Sequence, residues 1–185
     1  YVTAGAMIIG VPIGLLCAVF LTFYCPKKLY AFVKPVVGLL AGIPSIVYGF
    51  FGLVIIVPII QNVFGTGGKG VLTASILLGI MILPTIIEVS ESSLRAVPKQ
   101  YFEGSLALGA TKERSIFKAV LVGGKSGVMS AVVLGLGRAI GETMAVIMVA
   151  GNQAAIPKSV LSGVRTLTSN IVLEMAYAAD LHREA

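Results

Sequence analysis

Four long stretches of the sequence are apolar and almost free of charge, and each is about as long as a helix that crosses a membrane. A membrane span needs roughly 20 apolar residues, because the hydrocarbon core is about 30 Å thick and a helix rises about 1.5 Å per residue. The stretches are Val2–Tyr24, Val36–Ile60, Val71–Ile87 and Gly127–Ala150. The sequence therefore predicts an all-α integral membrane protein with about four transmembrane helices.

The composition excludes the other broad classes of protein. Apolar residues make up 57% of the 185 residues and charged residues only 12%, whereas soluble domains carry about 25% charged residues. A soluble domain of this size cannot bury so much apolar surface. Disordered chains are poor in apolar residues, so disorder is excluded as well.

The basic residues are concentrated in alternate loops. Segments 25–35 and 88–126 carry most of them, while 61–70 and 151–159 carry one lysine each. Loops on the cytoplasmic side of a membrane are enriched in Lys and Arg. We therefore expect 25–35 and 88–126 to be cytoplasmic and Tyr1 to lie outside. This topology accounts for most of the net charge of +6, so no nucleic-acid partner is predicted.

The long basic segment has the pattern of two short helices joined at a glycine. Pro98 suits the first turn of a helix, and Gly109 suits a helix end, where a left-handed conformation favours glycine. Thr111 is a suitable N-cap for a second helix. Such a pair could be a DNA-reading helix-turn-helix or a folded interfacial loop without a partner. Because both ends run into membrane spans, a docking element for a cytoplasmic protein is the favoured interpretation.

The sequence EGSLALG in this segment resembles the EAA loop of ABC importer permeases. The matching residues are Glu103, Gly104, Ser105 and Gly109, with Gly104 and Ser105 in place of the two alanines. A proline usually follows the loop in that family, but here Leu121 is followed by Val122. The resemblance implies a coupling helix, within about 98–121, that sits in a groove of an ATP-hydrolysing subunit.

Three other segments resemble the permeases of Pst-type phosphate importers, and the PstC-like subunit more than the PstA-like one. They are AGIPSIVYGFFGL (Ala41–Leu53), ILPTIIEVSESSLRAVP (Ile82–Pro98) and GLGRAIGETMAV (Gly135–Val146). The resemblance implies the type I ABC importer permease bundle. It also implies that 1–185 is one permease domain truncated at both ends, since family permeases have about six spans.

The function implied by the resemblance is ATP-driven import, most directly of inorganic phosphate. The expected partners are ATP-binding cassette ATPase subunits, a PstA-like second permease, an extracytoplasmic phosphate-binding protein and membrane lipid. The chain itself is then not an enzyme and holds no metal or cofactor, because the ATPase binds ATP. The expected location is the bacterial inner membrane. Molybdate or sulfate import, or an ATPase-independent secondary transporter, stays open.

Arg138 and Glu142 are the charged residues of the last apolar stretch. A central arginine costs about 2.5–3.5 kcal/mol on insertion scales. In a continuous helix Glu142 would lie on the same face, four residues later. The pair could be a structural ion pair, or the guanidinium could line an oxyanion pathway, since its planar fork matches phosphate. We expect Arg138, Glu142 and Thr143 to line a substrate pathway.

Two more polar patterns carry structural expectations. Glu88, Glu91 and Arg95 share a helix face at the end of the third stretch, which predicts a solvated helix end, with a cytoplasmic gate as the alternative. Residues 157–178 contain Arg165 and Glu174 among apolar residues. They predict an external amphipathic helix on the membrane surface.

Overall fold

The computed structural model describes residues 1–175 and Tyr177, and within them the chain is helical, with one isolated bridge between Gly151 and Val164. The α-helices are α1 (Val2–Val19), α2 (Lys27–Ala41), α3 (Ser45–Phe51), α4 (Val57–Phe64), α5 (Val71–Ala96), α6 (Lys99–Ala107), α7 (Lys112–Ser115), α8 (Leu121–Gly123), α9 (Lys125–Gly141), α10 (Met144–Val149) and α11 (Leu167–Glu174). Wider π-helical turns continue α1, α3 and α7 at Phe20–Tyr24, Gly52–Ile56 and Ile116–Val120. The predicted all-α fold is confirmed.

Three helical stretches in the described part are long and apolar enough to cross a membrane: Val2–Tyr24, Ser45–Phe64 and Val71–Ala96. A fourth is obtained if the bent pair Lys112–Gly123 and Lys125–Gly141, which meet at 73°, forms one span. The first predicted span has the predicted bounds. The third is longer than predicted and includes the acidic residues after Ile87.

The second predicted span, Val36–Ile60, has the wrong start. Helix α2 covers Lys27–Ala41, so most of the predicted loop 25–35 is helical. The chain is extended at Pro44 before α3 begins at Ser45. A proline disfavours the helical conformation at the residue before it. This explains the interruption at Ile43, just before Pro44, within an apolar run.

The fourth predicted span, Gly127–Ala150, is not continuous. Helix α9 ends at Gly141, and α10 begins at Met144. Glu142 and Thr143 lie between the two helices, so the expected i, i+4 relation of Arg138 and Glu142 on one helix is wrong. The apolar run did not reveal this break, and the fourth candidate span of the structure covers 112–141 rather than Gly127–Ala150.

The described contacts divide the chain into two compact units. The first comprises Tyr1–Ile9, Ile43–Met81 and the described residues from Arg138 onward. Its core includes Leu77, Leu78 and Val146, all nearly or fully buried. Glycines let the helices pack closely there, because a Cβ on Gly49 would lie 2.9 Å from the Cα of Ala145.

The second unit comprises Gly10–Gly42 and Ile82–Gly137. A Cβ on Gly14 would lie 2.7 Å from Cγ2 of Ile86, so α1 approaches α5 closely at this glycine. The core against which the 98–121 loop packs consists of Val19, Leu94, Ile116, Val120 and Val128.

The predicted amphipathic helix over 157–178 is shorter than expected. Only Leu167–Glu174 is helical, and residues 176 and 178 lie outside the described residues. The carbonyls of Val160 and Ser162 accept hydrogen bonds from the amides of Leu72 and Val71, at 2.8 and 3.1 Å. Those amides belong to the first turn of α5 and have no partner within the helix, which explains why the segment stays irregular.

Candidate functional site

The loop that resembles a coupling helix has the predicted helix–glycine–helix structure. Helix α6 begins after Pro98, and Gly109 has a φ of 83°, in the left-handed region that favours glycine. The Thr111 side chain accepts a hydrogen bond from the amide of Arg114 at 3.3 Å and so caps α7. The corner at Gly109 and the cap at Thr111 are both confirmed.

The predicted coupling residues differ in their surroundings. Glu103 and Gly104 are exposed, and a Cβ on Gly104 would meet no atom within 4 Å, so another chain can approach the backbone there. Ser105 instead accepts a hydrogen bond from the Ser115 hydroxyl at 3.0 Å, which joins α6 to α7. Leu108 is 91% exposed. The loop therefore presents a partly apolar outer surface beside Glu103.

The exit from the loop bends at a pair of glycines. Helices α8 and α9 meet at Gly124, where the long axis turns by 73°. A Cβ on Gly123 would lie 3.2 Å from Val97, and one on Gly124 would lie 3.3 Å from Leu94. Two small residues thus fit closely against the end of α5 at this bend.

The predicted pathway residues lie at the break between α9 and α10. Arg138 is in the last turn of α9 and is half-buried. The Glu142 carboxylate accepts a hydrogen bond from the amide of Ala145 at 3.1 Å, and the Thr168 hydroxyl donates to the Glu142 carbonyl at 3.2 Å. Thr143 donates to the carbonyl of Gly141 at 3.3 Å. Glu142 therefore caps α10 and stabilises the break.

A cavity of about 180 Å³ lies beside this break. Among the described residues that line it, Glu142 is the only charged one, and Thr3, Thr166 and Thr168 contribute hydroxyl groups. Arg138 and Thr143 do not belong to that described lining. The three predicted residues are therefore neighbours at the helix break, and Glu142 is the one that faces the cavity.

A buried charge cluster in the second unit was missed by the sequence interpretation. Glu91 is only 1% exposed, so the expectation of a solvated helix end is wrong for this residue. Its carboxylate accepts hydrogen bonds from the Tyr30 hydroxyl at 2.7 Å, Lys34 Nζ at 2.6 Å and Arg95 Nε at 2.7 Å. Arg95 also stacks on the Tyr30 ring at 4.6 Å. A possible signal in the sequence was the set of lysines in α2, Lys27, Lys28 and Lys34, which can pair with an acid on another helix.

Long apolar helices, a broken helix and an exposed helix–glycine–helix loop are typical of a multi-span membrane permease. The sequence profile for "binding-protein-dependent transport system inner membrane component" matches residues 10–179. This chain belongs to that family, and the predicted resemblance is confirmed.

The curated relatives include permeases of ABC transporters. The probable ABC transporter permease protein YqgH of Bacillus subtilis is 42% identical over 177 residues, covering 95% of this chain and 57% of that protein. The phosphate transport system permease protein PstC of Pasteurella multocida is 38% identical over 200 residues, covering 97% of this chain and 62% of the relative. The PstC of Haemophilus influenzae is 35% identical, and the match covers 100% of this chain and 65% of that protein. The chain thus spans about three fifths of the length of these relatives.

A solved structure has the same fold. The MetNI methionine ABC transporter, in an inward-facing conformation, matches with a TM-score of 0.60 and 22% identity, over 98% of this chain and 78% of that one. The expected type I permease fold is confirmed.

Proposed function

We propose that this chain is part of the permease subunit of an ATP-driven importer of inorganic phosphate in the bacterial inner membrane. The observation that carries the proposal is the exposed coupling corner. Glu103 and Gly104 are exposed on its surface, and Gly109 turns the chain. The solute is inferred from relatives that are named phosphate permeases. Molybdate, sulfate and ATPase-independent transport are the competing assignments.

In this proposal the chain performs no chemistry of its own. ATP is bound and hydrolysed by cassette ATPase subunits, and no cofactor belongs to this chain. The ATPase binds the loop 98–121 from the cytoplasm. When the ATPase closes and opens, it displaces the loop. A PstA-like second permease completes the pathway through the lipid bilayer, and a phosphate-binding protein delivers the solute from outside. Segments 25–35 and 88–126 are cytoplasmic in this orientation.

Arg138, Glu142 and Thr143 are the proposed pathway residues. A guanidinium donates two parallel hydrogen bonds to a phosphate, which a lysine cannot do. The position of Arg138 in the last turn of α9 supports the proposal, because transporters bind solutes at discontinuous helices. Glu142 holds the helix break through its bond to Ala145, and a neutral acceptor could replace it in that role.

Uptake of radiolabelled phosphate by cells that lack other phosphate importers tests the proposal, with the full-length protein and its partner subunits expressed together. We expect Arg138→Leu to abolish uptake, Arg138→Lys to be poor and Glu142→Gln to be milder. Lys28→Leu, at an exposed position of α2 outside the coupling loop and the proposed pathway, is the matched control for the loss of a cation. Blots check expression, and unlabelled molybdate or sulfate tests the solute. Normal uptake by an Arg138/Glu142 double-leucine variant would contradict the pathway role.

A further inference from the structure

Both helices of the coupling loop contact the end of the first span. From α6, the Phe102 ring stacks on Phe23 with 6.2 Å between centroids and 26° between planes. From α7, Lys112 Nζ donates a hydrogen bond to the Phe23 carbonyl at 3.1 Å and lies 4.4 Å from the centre of the Tyr24 ring. We call these four residues, Phe23, Tyr24, Phe102 and Lys112, the Phe23–Tyr24 clamp.

The lysine contact suits the end of a helix. The last carbonyls of a helix have no partner within it, and a cation near them is favoured by the helix dipole. Lys112 supplies both a donor for the Phe23 carbonyl and a positive charge over the face of Tyr24. Its ammonium group therefore binds the terminal turn of the span at two places, although 89 residues separate it from Phe23.

The aromatic contact packs α6 against the first span, in addition to the Ser115–Ser105 hydrogen bond that joins α6 to α7. The described residues of α6 include no buried side chain, and its outer residues Tyr101 and Leu106 are exposed. Phe102 and Phe23 are half-buried and pack against the core of Val19, Leu94, Ile116, Val120 and Val128. Phe102 is therefore one direct connection between α6 and the first span, and Lys112 of α7 is a second.

We propose that Lys112 and Phe102 are positioning residues that pass the displacement of the coupling loop to the first span. This inference rests on the proposed function, because an ATPase must move the loop. The terminal turn of the span is π-helical, with the amide of Cys25 bonded to the carbonyl of Phe20 at 2.9 Å. Such wide turns occur frequently at functional sites, and this one holds both residues that Lys112 contacts.

The chain contains its own reporter for this motion. Cys25 directly follows Tyr24 and is a half-buried free thiol. In a Cys17→Ala background it is the one cysteine of the 185-residue sequence. The experiment measures the rate of maleimide labelling at Cys25 in the full-length permease assembled with its ATPase in lipid vesicles, with and without ATP and vanadate. Any cysteines elsewhere in the assembly are replaced.

We expect nucleotide to change the labelling rate of the parent protein severalfold, because Cys25 directly follows the turn that Lys112 contacts. Lys112→Met and Phe102→Leu should remove most of this change while ATPase binding persists. Lys112→Arg, which keeps the donor and the charge over the ring, should retain it. Lys28→Met is the matched control, because Lys28 is an exposed lysine of α2 that lies outside the coupling loop.

The alternative roles give different results. If the clamp is only structural, Lys112→Met lowers the yield but leaves the ratio of the two labelling rates unchanged, which overturns the inference. The inference is also overturned if nucleotide does not change the labelling rate of Cys25 in the parent protein while the ATPase is active. Failure of the proposed function is recognised separately, because then no ATPase co-purifies with the full-length parent.

Discussion

Lys34 Nζ lies 2.6 Å from Oε2 of Glu91, and 57 residues of sequence separate the two. This ion pair joins α2 to α5 within the second unit. Arg95, one turn later in α5, forms a second ion pair with the same carboxylate. The carboxylate is almost completely buried, while the two cations are 36% and 46% exposed. The stability of this region therefore depends far more on the acid than on either base.

Replacing Glu91 with glutamine should destabilise the protein. The amide has one acceptor oxygen, and its NH₂ group would face donors that now bind a carboxylate. Hydrogen bonds to charged groups contribute about 1.5–3 kcal/mol. Because Lys34 and Arg95 can turn toward water, we expect a loss of about 1–3 kcal/mol rather than the larger cost of a stranded buried charge. Thermal unfolding of the purified full-length protein measures it.

Glu113→Gln is the control for this substitution. Glu113 is an exposed acid in the first turn of α7, and surface changes of this kind usually stay within about 0.5 kcal/mol. Equal unfolding midpoints for the two variants would contradict the structural importance of the Glu91 cluster.

Tyr30→Phe should show a stability difference that depends on pH. The hydrogen bond that Tyr30 donates to Glu91 raises the pKa of the phenol above 10.0, and partial burial and the negative charge of Glu91 act in the same direction. The folded state thus favours the neutral phenol. Its contribution is fully present below the ordinary pKa of about 10 and is lost as the pH rises through the raised pKa.

The measurement compares unfolding midpoints of parent and Tyr30→Phe across this range. The parent should be more stable than Tyr30→Phe at neutral pH. The difference between their unfolding midpoints should decrease only in strongly alkaline solution. Tyr101→Phe, at an exposed position of α6, is the control and should show no gap. A gap that keeps its size at high pH would show that ionisation of Tyr30 is not involved.

The parts of the fold that depend on local sequence were predictable. Gly109 and Thr111 mark a corner and a cap through their own backbone preferences, and both have the expected conformations. The first apolar stretch, Val2–Tyr24, has no internal break and appears with the predicted bounds. In each case the deciding interactions lie within a few residues.

The remaining features depend on contacts between distant residues. The helix periodicity predicts that Glu91 is a solvated acid. Its burial is compensated by hydrogen bonds from Tyr30 and Lys34, which are distant in the sequence. The break at Glu142 is stabilised by Thr168, which is 26 residues away. Hydropathy alone continues through that break because Met144–Val149 is apolar.

Gly14 of α1 and Gly137 of α9 should respond differently to replacement by alanine. A Cβ on Gly14 would lie 2.7 Å from Cγ2 and 3.1 Å from Cβ of Ile86, a branched side chain that cannot swing aside. A Cβ on Gly137 would meet no atom within 4 Å. Overpacking typically costs about 1–3 kcal/mol, so Gly14→Ala should lower the unfolding midpoint in detergent and Gly137→Ala should not. Similar effects of both would contradict the close approach of α1 to α5.

Replacing Gly109 tests the coupling corner through its backbone. A left-handed conformation costs most residues about 1–2 kcal/mol, with a larger penalty for β-branched side chains. The position has space, since a Cβ there would meet no atom within 4 Å, so any defect comes from φ and not from a clash. We expect Gly109→Val to reduce both phosphate uptake and co-purification of the ATPase, while the amount in the membrane is unchanged. Asparagine tolerates this conformation, so Gly109→Asn should retain much of both activities. If valine and asparagine behave alike, the left-handed turn at Gly109 is not what the docking of the ATPase requires.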